Sequence, residues 1–345
     1  MKICFYTKTP IERLKYEQYT FNDVCILRKL GHNVVLASTI LDIPLDSDLI
    51  FSWWVSCSFW PAIIAFIFRI PLVIIAGGNE ANVFVPPLYR DLYGFYSYGL
   101  IKRICMRFAI HACTYILPVS DFLRRSIALI SPKSSFKSVL VYNCVDLLQF
   151  HLQNPLPLLP RSSCSAFTIV TVSSFDKHSV AVKRLDLLIK AFVLAYSLDK
   201  TLKLVIIGRS GDQIEDIRLI LSKNLPSSAY SILIDLDKVE VARQLQSADL
   251  YCQISLVETF GLAAMEACFA GCPLLLSPSG AMPEIFHDIA YFLNDNFSVS
   301  DLCDTFIRAV NRTIDFPIYN LSIIHSRFSL EHRSSCLRSI LLTIE

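Results

Sequence analysis

Short runs of apolar residues recur along the first half of the chain and alternate with helix-length segments. Each run is too short for a helix and is typical of a strand that is buried on both faces. These runs predict strands over Lys2–Tyr6, Asn33–Ala37, Leu49–Ser52, Leu72–Ala76 and Tyr115–Ser120. The segments between them predict helices over Phe21–Leu30 and Asp121–Leu129. Strands that alternate with helices indicate a parallel sheet, so the first half is expected to be an α/β domain.

The same alternation restarts after a segment without periodicity. Residues 151–165 are rich in Pro and Ser, which predicts a linker. Beyond the linker, strands are expected over Phe167–Val172, Leu202–Ile207, Ser231–Leu236 and Leu274–Leu276. Helices are expected over Leu185–Tyr196, Val239–Ser247, Val299–Asn311 and His325–Leu342. We therefore predict a domain over residues 1–150, the linker, a second domain over 166–324 and a terminal helix within 325–345.

The stretch Ser255–Glu284 of the second domain combines this alternation with polar residues. It follows the apolar run Leu250–Ile254, and Gly261 opens a run of good helix formers from Leu262 to Ala270. A glycine and then a proline, at positions 271 and 273, form the usual signal for the end of a helix. Pro283 fits the first turn of the next helix. The local order is that of a parallel βαβ unit.

The start of the helix after Gly261 offers groups that suit an oxygen-rich ligand. Backbone amides around Phe260–Leu262 have no helical acceptor, and Gly261 would let a ligand approach the backbone closely. Glu258 precedes the helix and Glu266 lies in its second turn, so both are expected at one crevice. Two carboxylates beside amide donors suit a nucleotide sugar. The residues alone fit equally well a capping acid and a solvated glutamate.

These residues resemble the E-x-F-G-x-x-x-x-E signature of family 4 glycosyltransferases. Further matches are Ala267, Gly271, Pro273, Pro283 and Glu284. The resemblance implies a retaining enzyme of the GT-B fold, with two Rossmann-like α/β domains that face each other across a cleft. It also implies that Glu258 contacts the donor sugar together with the amides of Phe260, Gly261 and Leu262. Glu266 would hold the ribose hydroxyls, and the last helix would cross back to the first domain.

The same resemblance assigns the donor diphosphate to a lysine. Lys183 matches the family lysine in place, and with Glu258 it is a candidate catalytic residue. The arginine that normally precedes this lysine aligns with Ser174, which is a departure from the family. Arg184 or Lys177 is expected to supply the missing charge. A cation beside the phosphates would stabilise the departing nucleotide.

Two strand-end loops complete the expected site. Gly208 ends a strand of the second domain where a nucleotide would approach, and Arg209 beside it is expected to reach a phosphate. In the first domain, Gly78 follows a buried strand and marks a close backbone approach at the domain cleft. Asn79 and Glu80 stand where many relatives carry a histidine, so they are candidates for contact with the acceptor or the sugar. A purely structural turn is the alternative.

Composition then raises the question of the membrane. The chain has 345 residues, a net charge of +2 and 53% hydrophobic residues. The charge gives no indication of a nucleic-acid partner. Phe51–Phe68 is interrupted by serines and a proline, so a buried helix that leads into the strand Leu72–Ala76 explains it better than a membrane span. Aromatic and basic residues are interleaved over Val83–Arg103, which predicts peripheral contact with a membrane surface or an acceptor, and core packing of the aromatic residues is the alternative.

The sequence lacks a C-x-x-C pair, and neither a metal nor a cofactor is expected. The predicted function is transfer of a sugar from a nucleotide-diphosphate sugar to the hydroxyl of a glycan or lipid-linked acceptor, in surface polysaccharide or glycolipid synthesis. The expected location is the cytoplasm, with the inner face of the cytoplasmic membrane as an option. Two alternatives remain: a sugar-nucleotide epimerase of the same fold, and a non-catalytic, membrane-associated subunit that binds a sugar nucleotide.

Overall fold

The structure is a computed structural model that describes residues 1–146, 166–319 and 321–344, with the backbone alone at positions 15 and 16. The predicted linker over residues 151–165 lies outside the described residues. The chain divides into two compact units, of which the first is Met1–Asp146 with Ser322–Glu345 and the second is Leu147–Leu321. Each unit contains one parallel sheet.

The sheet of the first unit has the strand order β2-β1-β3-β4-β5. Its strands are β1 (Lys2–Tyr6), β2 (Asn33–Ala37), β3 (Leu49–Trp53), β4 (Leu72–Ala76) and β5 (Tyr115–Pro118). The helices that connect and follow them are α1 (Gln18–Lys29), α2 (Phe59–Phe68), α3 (Leu100–Ala112) and α4 (Asp121–Ile130). Every residue of β3 and β4 is buried, as expected for parallel strands with both faces covered. The chain order reverses between β1 and β3, which is the switch point of this sheet.

The apolar segment over residues 51–68 is divided among three elements. It begins in β3, passes through a 3-10 turn over Val55–Cys57 and ends in α2. The helix leads into β4 as expected, but the expectation that it is buried is wrong. Small residues, Ala62 and Ala65, pack inward, whereas the aromatic side chains at its end are exposed. No helix in the described part of the chain has both the length and the apolarity needed to cross a membrane.

The sheet of the second unit has the strand order β11-β10-β9-β6-β7-β8. Its strands are β6 (Phe167–Val172), β7 (Leu202–Gly208), β8 (Tyr230–Ile234), β9 (Leu250–Gln253), β10 (Leu274–Leu276) and β11 (Tyr291–Phe292). Its helices are α5 (Lys177–Val182), α6 (Leu185–Leu198), α7 (Ile214–Asn224), α8 (Lys238–Ser247), α9 (Leu262–Phe269), α10 (Met282–Phe286) and α11 (Val299–Val310). This is the strand order of dinucleotide-binding folds, and it reverses between β6 and β9.

The end of the chain forms two helices, α12 (Leu321–Phe328) and α13 (Leu330–Leu341). The prediction of one helix over His325–Leu342 is therefore wrong. Ser329 has extended backbone angles between them, and its hydroxyl accepts a hydrogen bond from the His332 amide at 3.2 Å. This is the contact of an N-cap, which starts a new helix. Residues from Ser322 onward belong to the first unit, where α13 packs against α1.

Candidate functional site

The candidate site of the second unit lies at the carboxyl edge of its sheet. β6 and β9 are neighbours there, and the chain leaves them toward opposite halves of the sheet. The loop after β6 contains Ser173 and Ser174, and the loop after β9 runs from Ile254 to Gly261. Open α/β sheets bind ligands at such a switch point, because the two loops diverge and leave a crevice.

An ion pair joins the two residues that the sequence assigned to catalysis. The Lys183 Nζ lies 2.5 Å from the Glu258 Oε1, and both side chains are largely buried. The same oxygen accepts hydrogen bonds from Gln253 Nε2 at 2.9 Å and from Ser255 Oγ at 3.0 Å. Three donors on one oxygen hold the carboxylate in a fixed position. Gln253 and Ser255 were not predicted from the sequence.

Backbone contacts bring this lysine and this glutamate together across a long separation in the chain. Lys183 directly follows α5, and the carbonyl of the last residue of that helix, Val182, accepts from the Leu256 amide at 2.8 Å. On the other side, the Glu258 carbonyl accepts from the Ala281 amide at 2.8 Å. Gly280 has a φ of 64°, and a Cβ there would lie 2.1 Å from the Glu258 carbonyl oxygen. The loop before α10 therefore needs this glycine to hold Glu258.

Glu266 forms a second, separate ion pair. Its Oε1 lies 2.6 Å from the Nζ of Lys238, which is the first residue of α8. Tyr251 is buried near both carboxylates. Burial raises the pKa of Tyr251, and the charges of Glu258 and Glu266 raise it further. Its hydroxyl donates to Gln253 Oε1 at 2.6 Å, and Gln253 in turn donates to Glu258. Lys238 was missed by the sequence analysis.

The helix α9 begins after a glycine, as expected, but this glycine is needed for the backbone conformation and for packing. Gly261 has a φ of 88°, which only glycine adopts readily. A Cβ there would lie 2.7 Å from the sulfur of Met282, so the space beside Gly261 is occupied by α10 and is not open to a ligand. The Phe260 side chain is buried. The available donors are thus backbone amides, from Leu262 through the first turn of α9.

The remaining cations predicted for the donor site lie apart from the Lys183–Glu258 pair. The Arg184 guanidinium lies over the Phe297 ring, 4.8 Å from its centroid. Lys177 is exposed at the start of α5. Among the described residues, neither cation forms an ion pair with Glu258.

Gly208 and Arg209 occupy the predicted strand end. A Cβ at Gly208 would lie 1.9 Å from the Ser173 carbonyl oxygen, so the close approach predicted for a nucleotide is made by the neighbouring loop. Arg209 is exposed, and its carbonyl accepts a hydrogen bond from the Phe175 amide at 3.0 Å. Gly208 therefore serves first to let the loops after β6 and β7 pack together.

A second group of polar residues lies at the carboxyl edge of the first unit. A Cβ at Gly78 would lie 2.4 Å from the ring of Trp54, and one at Gly77 would lie 2.3 Å from the ring of Trp53. The glycines after β4 therefore make room for two tryptophans, a packing role that was not predicted from the sequence. The tryptophans form an apolar wall beside Asn79 and Glu80.

Glu80 is buried in this wall, and its burial raises its pKa to about 7. Backbone amides, including that of Val55, oppose the shift. Within the described part of the chain, five buried side-chain polar atoms have no hydrogen-bond partner, and three of them lie in this short segment: Asn79 Oδ1, Glu80 Oε1 and Asn82 Nδ2. Buried polar atoms without partners are rare in proteins. The hydroxyl groups of a ligand would give these atoms hydrogen-bond partners.

No arrangement for a metal is evident in residues 1–146, 166–319 and 321–344. No three His, Cys, Asp or Glu side chains in these ranges lie close enough together to hold an ion. The carboxylates of the second unit are instead paired with lysines. Lys183 and Lys238 thus place positively charged side chains at this edge.

Comparison with known proteins identifies the region that holds these ion pairs. Residues 167–314 match the model of the family described as glycosyl transferases group 1. No curated protein sequence matches the chain.

Solved structures show the fold of the whole chain. HepE of Anabaena, in complex with UDP and glucose, is similar with a TM-score of 0.71 and 15% identity over 99% of this chain and 100% of that one. A sucrose-phosphate synthase of Thermosynechococcus elongatus has a TM-score of 0.70 and 12% identity, over 100% and 99%. A glycosyltransferase of Rickettsia africae has a TM-score of 0.70 and 13% identity, over 99% and 98%. The prediction of two Rossmann-like domains of the GT-B type is confirmed.

Proposed function

We propose that this chain is a retaining glycosyltransferase of the family 4 type. It moves a sugar from a nucleotide-diphosphate sugar to an acceptor hydroxyl. The observation that carries the proposal is the Lys183–Glu258 ion pair at the switch point of the second unit. A cation and a fixed carboxylate at this position suit a diphosphate and the sugar attached to it.

The donor would be held by charges and by backbone amides. Lys183 and the amides at the start of α9 would face the diphosphate, and Glu266 would accept from the ribose hydroxyls. Gly208, Arg209 and Arg184 are further candidates for donor contact. Because HepE was solved with UDP and with UDP-glucose, uridine diphosphate sugars are the first donors to test.

Lys183 has a specific task when the sugar–phosphate bond breaks. Negative charge then grows on the leaving phosphate, and a cation nearby stabilises that charge more in the transition state than in the bound donor. The leaving phosphate takes the proton of the acceptor hydroxyl. Glu258, which already binds Lys183, would hold both the lysine and the donor sugar in position.

The acceptor would be recognised by the first unit. Gly78, Asn79 and Glu80 follow β4 at the carboxyl edge of its sheet, and two of them carry buried atoms without partners. A hydroxyl group both donates and accepts, so it complements such atoms. A carboxyl group whose pKa lies near 7 would bind a neutral hydroxyl better than a phosphate.

This chemistry indicates an acceptor that is rich in hydroxyl groups. We propose a glycan or a lipid-linked saccharide, and a role in surface polysaccharide or glycolipid synthesis at the inner face of the cytoplasmic membrane. Peripheral contact with that membrane belongs to the same proposal. No cofactor beyond the nucleotide sugar is required, and no nucleic-acid partner is expected.

The decisive experiment mixes the purified protein with a panel of nucleotide sugars and candidate acceptors. Release of nucleoside diphosphate together with a glycosylated acceptor supports the proposal, and NMR of the new anomeric centre tests retention. An epimerised donor without transfer would instead identify an epimerase. A donor that binds unchanged, combined with activity gained by Ser174→Arg, would identify a binding subunit that lacks the family arginine.

A further inference from the structure

Two helices of the first unit expose apolar side chains on one continuous face. α2 and α3 pack together, with the rings of Phe59 and Phe108 5.7 Å apart. Phe66 and Ile67 of α2 are 74% and 64% exposed, and Ile101 of α3 is 80% exposed. The exposed side chains of this α2/α3 face include Trp60, Phe66, Ile67, Ile101, Ile104 and Phe108. Positions 101, 104 and 108 share one side of α3.

This face reverses the usual arrangement of a helix that covers a sheet. The buried residues of α2 are Pro61, Ala62 and Ala65, whereas its largest apolar side chains point outward. Leaving apolar area in water costs about 25 cal/mol per Å². Contiguous exposed patches of this kind mark interaction surfaces in soluble proteins.

The charge around the face indicates the partner. Residues 49–79 and 92–120 contain no Asp or Glu, but they contain Arg69, Lys102, Arg103 and Arg107. Among the described residues, Arg69, Lys102 and Arg103 form no ion pair. A second copy of the same face would place these cations against each other. An anionic lipid surface would complement both the cations and the apolar side chains.

A cluster of cations and aromatic rings borders the face. The guanidinium groups of Arg90 and Arg103 lie 5.6 and 5.9 Å from the centroid of the Tyr96 ring. Tyr96 itself is partly exposed. Amphipathic aromatic rings next to cations are typical of the interface between lipid headgroups and acyl chains.

We infer that the α2/α3 face binds the surface of a bilayer that contains anionic phospholipid. Side chains such as Phe66 and Ile101 enter the interface, and the cations contact phosphate groups. The face begins beside the candidate acceptor group, because α3 packs on the turn Val55–Cys57 and the Val55 amide of that turn donates a hydrogen bond to Glu80. The inference assigns a surface to the membrane contact named in the proposed function, and presentation of a lipid-linked acceptor to Glu80 would follow; only this presentation step requires sugar transfer.

Vesicle flotation tests the inference without donor or acceptor, so its result is independent of sugar transfer. The purified full chain is mixed with vesicles of phosphatidylcholine, or of equal parts phosphatidylcholine and phosphatidylglycerol. We expect flotation with the anionic vesicles and release by high salt. Equal binding to both compositions, or none to either, would overturn the inference.

Paired variants assign the binding to this face. Ile101→Asp should lower the partition coefficient at least about tenfold, while Leu219→Asp on α7, also an exposed apolar position, should leave it unchanged. Replacing Arg69 by Asn and Lys102 by Gln together should lower it roughly thirty-fold. Asn is chosen because position 69 has a left-handed backbone. Lys190→Gln with Lys223→Gln is the control that removes the same charge from the second unit.

Two further readouts complete the test. Circular dichroism and thermal unfolding must match the parent for each variant, so that lost binding is not lost folding. Sedimentation velocity without vesicles reports self-association. If Ile101→Asp converts a dimer to a monomer and anionic vesicles bind parent and variant equally, the face is an interface between copies and the inference is wrong.

Discussion

Both sheets of this molecule are parallel, but the carboxyl groups at their carboxyl edges differ in whether they are paired with cations. In the second unit, carboxylates are paired with lysines at 2.5 and 2.6 Å. In the first unit, Glu80 is buried, its Oε1 has no hydrogen-bond partner, and burial raises its pKa. Under the proposed function, the edge of the second unit would bind the charged donor, and the edge of the first unit would bind a neutral, hydroxyl-rich acceptor. Strand topology fixes where a site lies, and the loops decide what the site can bind.

The first unit also contains an ion pair, but it is used for structure. Arg333 of α13 binds Asp23 of α1 through two hydrogen bonds of 2.6 and 2.8 Å, and both side chains are fully buried. Asp23 also accepts from Trp53 Nε1 at 2.9 Å, and Arg333 donates to the carbonyls of Val141 and Tyr142. All polar atoms near this pair are engaged, unlike those near Glu80. The last helix is therefore fixed to the first unit by a satisfied buried network.

Breaking that network should have the largest effect on stability. Arg333→Met leaves Asp23 buried without its cation, and such a change costs about 3–5 kcal/mol. The three tryptophans, at positions 53, 54 and 60, all lie in the first unit. Tryptophan fluorescence during urea unfolding therefore reports this unit, and its midpoint should fall sharply.

Arg338→Met is the matched control, since Arg338 is exposed on the same helix. It should leave the midpoint within error of the parent. An unchanged midpoint for Arg333→Met would mean that the network does not hold the first unit together.

The second prediction tests the need for charge in the second unit. Lys183→Ala should reduce sugar transfer by about 10²–10³-fold, as for one lost electrostatic donor, with a smaller loss in donor binding. Steady-state kinetics and calorimetry with the same donor separate the two effects. Lys190→Ala, an exposed lysine of α6 paired with Asp186, is the control.

Arg184→Ala and Lys177→Ala complete this test, because the family arginine is replaced by Ser174. Damage equal to that of Lys183→Ala would show which residue supplies the missing cation. Parent-like turnover in all three folded variants would contradict the assigned diphosphate site.

The third prediction concerns the pH dependence of stability that the buried Glu80 causes in the first unit. The pKa of Glu80 is about 7 when folded, against an ordinary value of 4.5. Below pH 4.5 both folded and unfolded chains hold the proton, so burial of a charge costs nothing. As pH rises to 7 the unfolded chain ionises first, and the parent progressively loses stability.

Glu80→Gln does not titrate, so it should gain roughly 3 kcal/mol over the parent above neutral pH and little in acid. Urea unfolding followed by tryptophan fluorescence at several pH values measures this difference. Glu12→Gln, an exposed position of the same unit, should show no such trend. A constant difference between Glu80→Gln and the parent across pH would mean that the pKa of Glu80 is the same in the folded and unfolded chains, which would contradict the raised pKa.

The sequence predicted the strands better than the contacts between them. β1, β2, β4, β6 and β10 have the predicted bounds, because a buried parallel strand is a continuous apolar run. The break at Ser329 was missed, since one serine in a polar helical segment is a weak signal. The exposure of α2 was missed because a helix that is apolar on every side does not reveal which side is buried.

The sequence named candidate site residues only as far as the family signature reached. It named Glu258 and Lys183, but it did not predict their mutual ion pair, because the pair joins residues 75 positions apart. The contacts of Lys238 and Arg333 were missed for the same reason, since each residue meets its partner only through the topology. The sequence also did not predict that Gly208 and Gly261 make room for other parts of the chain. No residue pattern distinguishes close packing from room for a ligand.

The last and smallest effect concerns Glu266, where the two roles of a carboxylate can be separated. Glu266→Gln keeps the shape of the side chain but removes the charge that binds Lys238 and would accept from ribose hydroxyls. Because Lys238 is partly exposed, loss of its pair should change stability by less than about 1 kcal/mol. Loss of charge-assisted bonds to the donor should cost about 1.5–3 kcal/mol of binding.

Calorimetry with the nucleoside diphosphate alone and with the full nucleotide sugar measures this loss. The affinities for both ligands should fall equally, since the ribose is common to them. Glu240→Gln on α8 is the control, because the side chain of that glutamate accepts hydrogen bonds from two residues of its own helix, Arg243 and Gln244. If Glu266→Gln binds both ligands like the parent and unfolds at the same denaturant concentration, the carboxylate has neither role, and the contrast between the two edges rests on the Lys183–Glu258 pair alone.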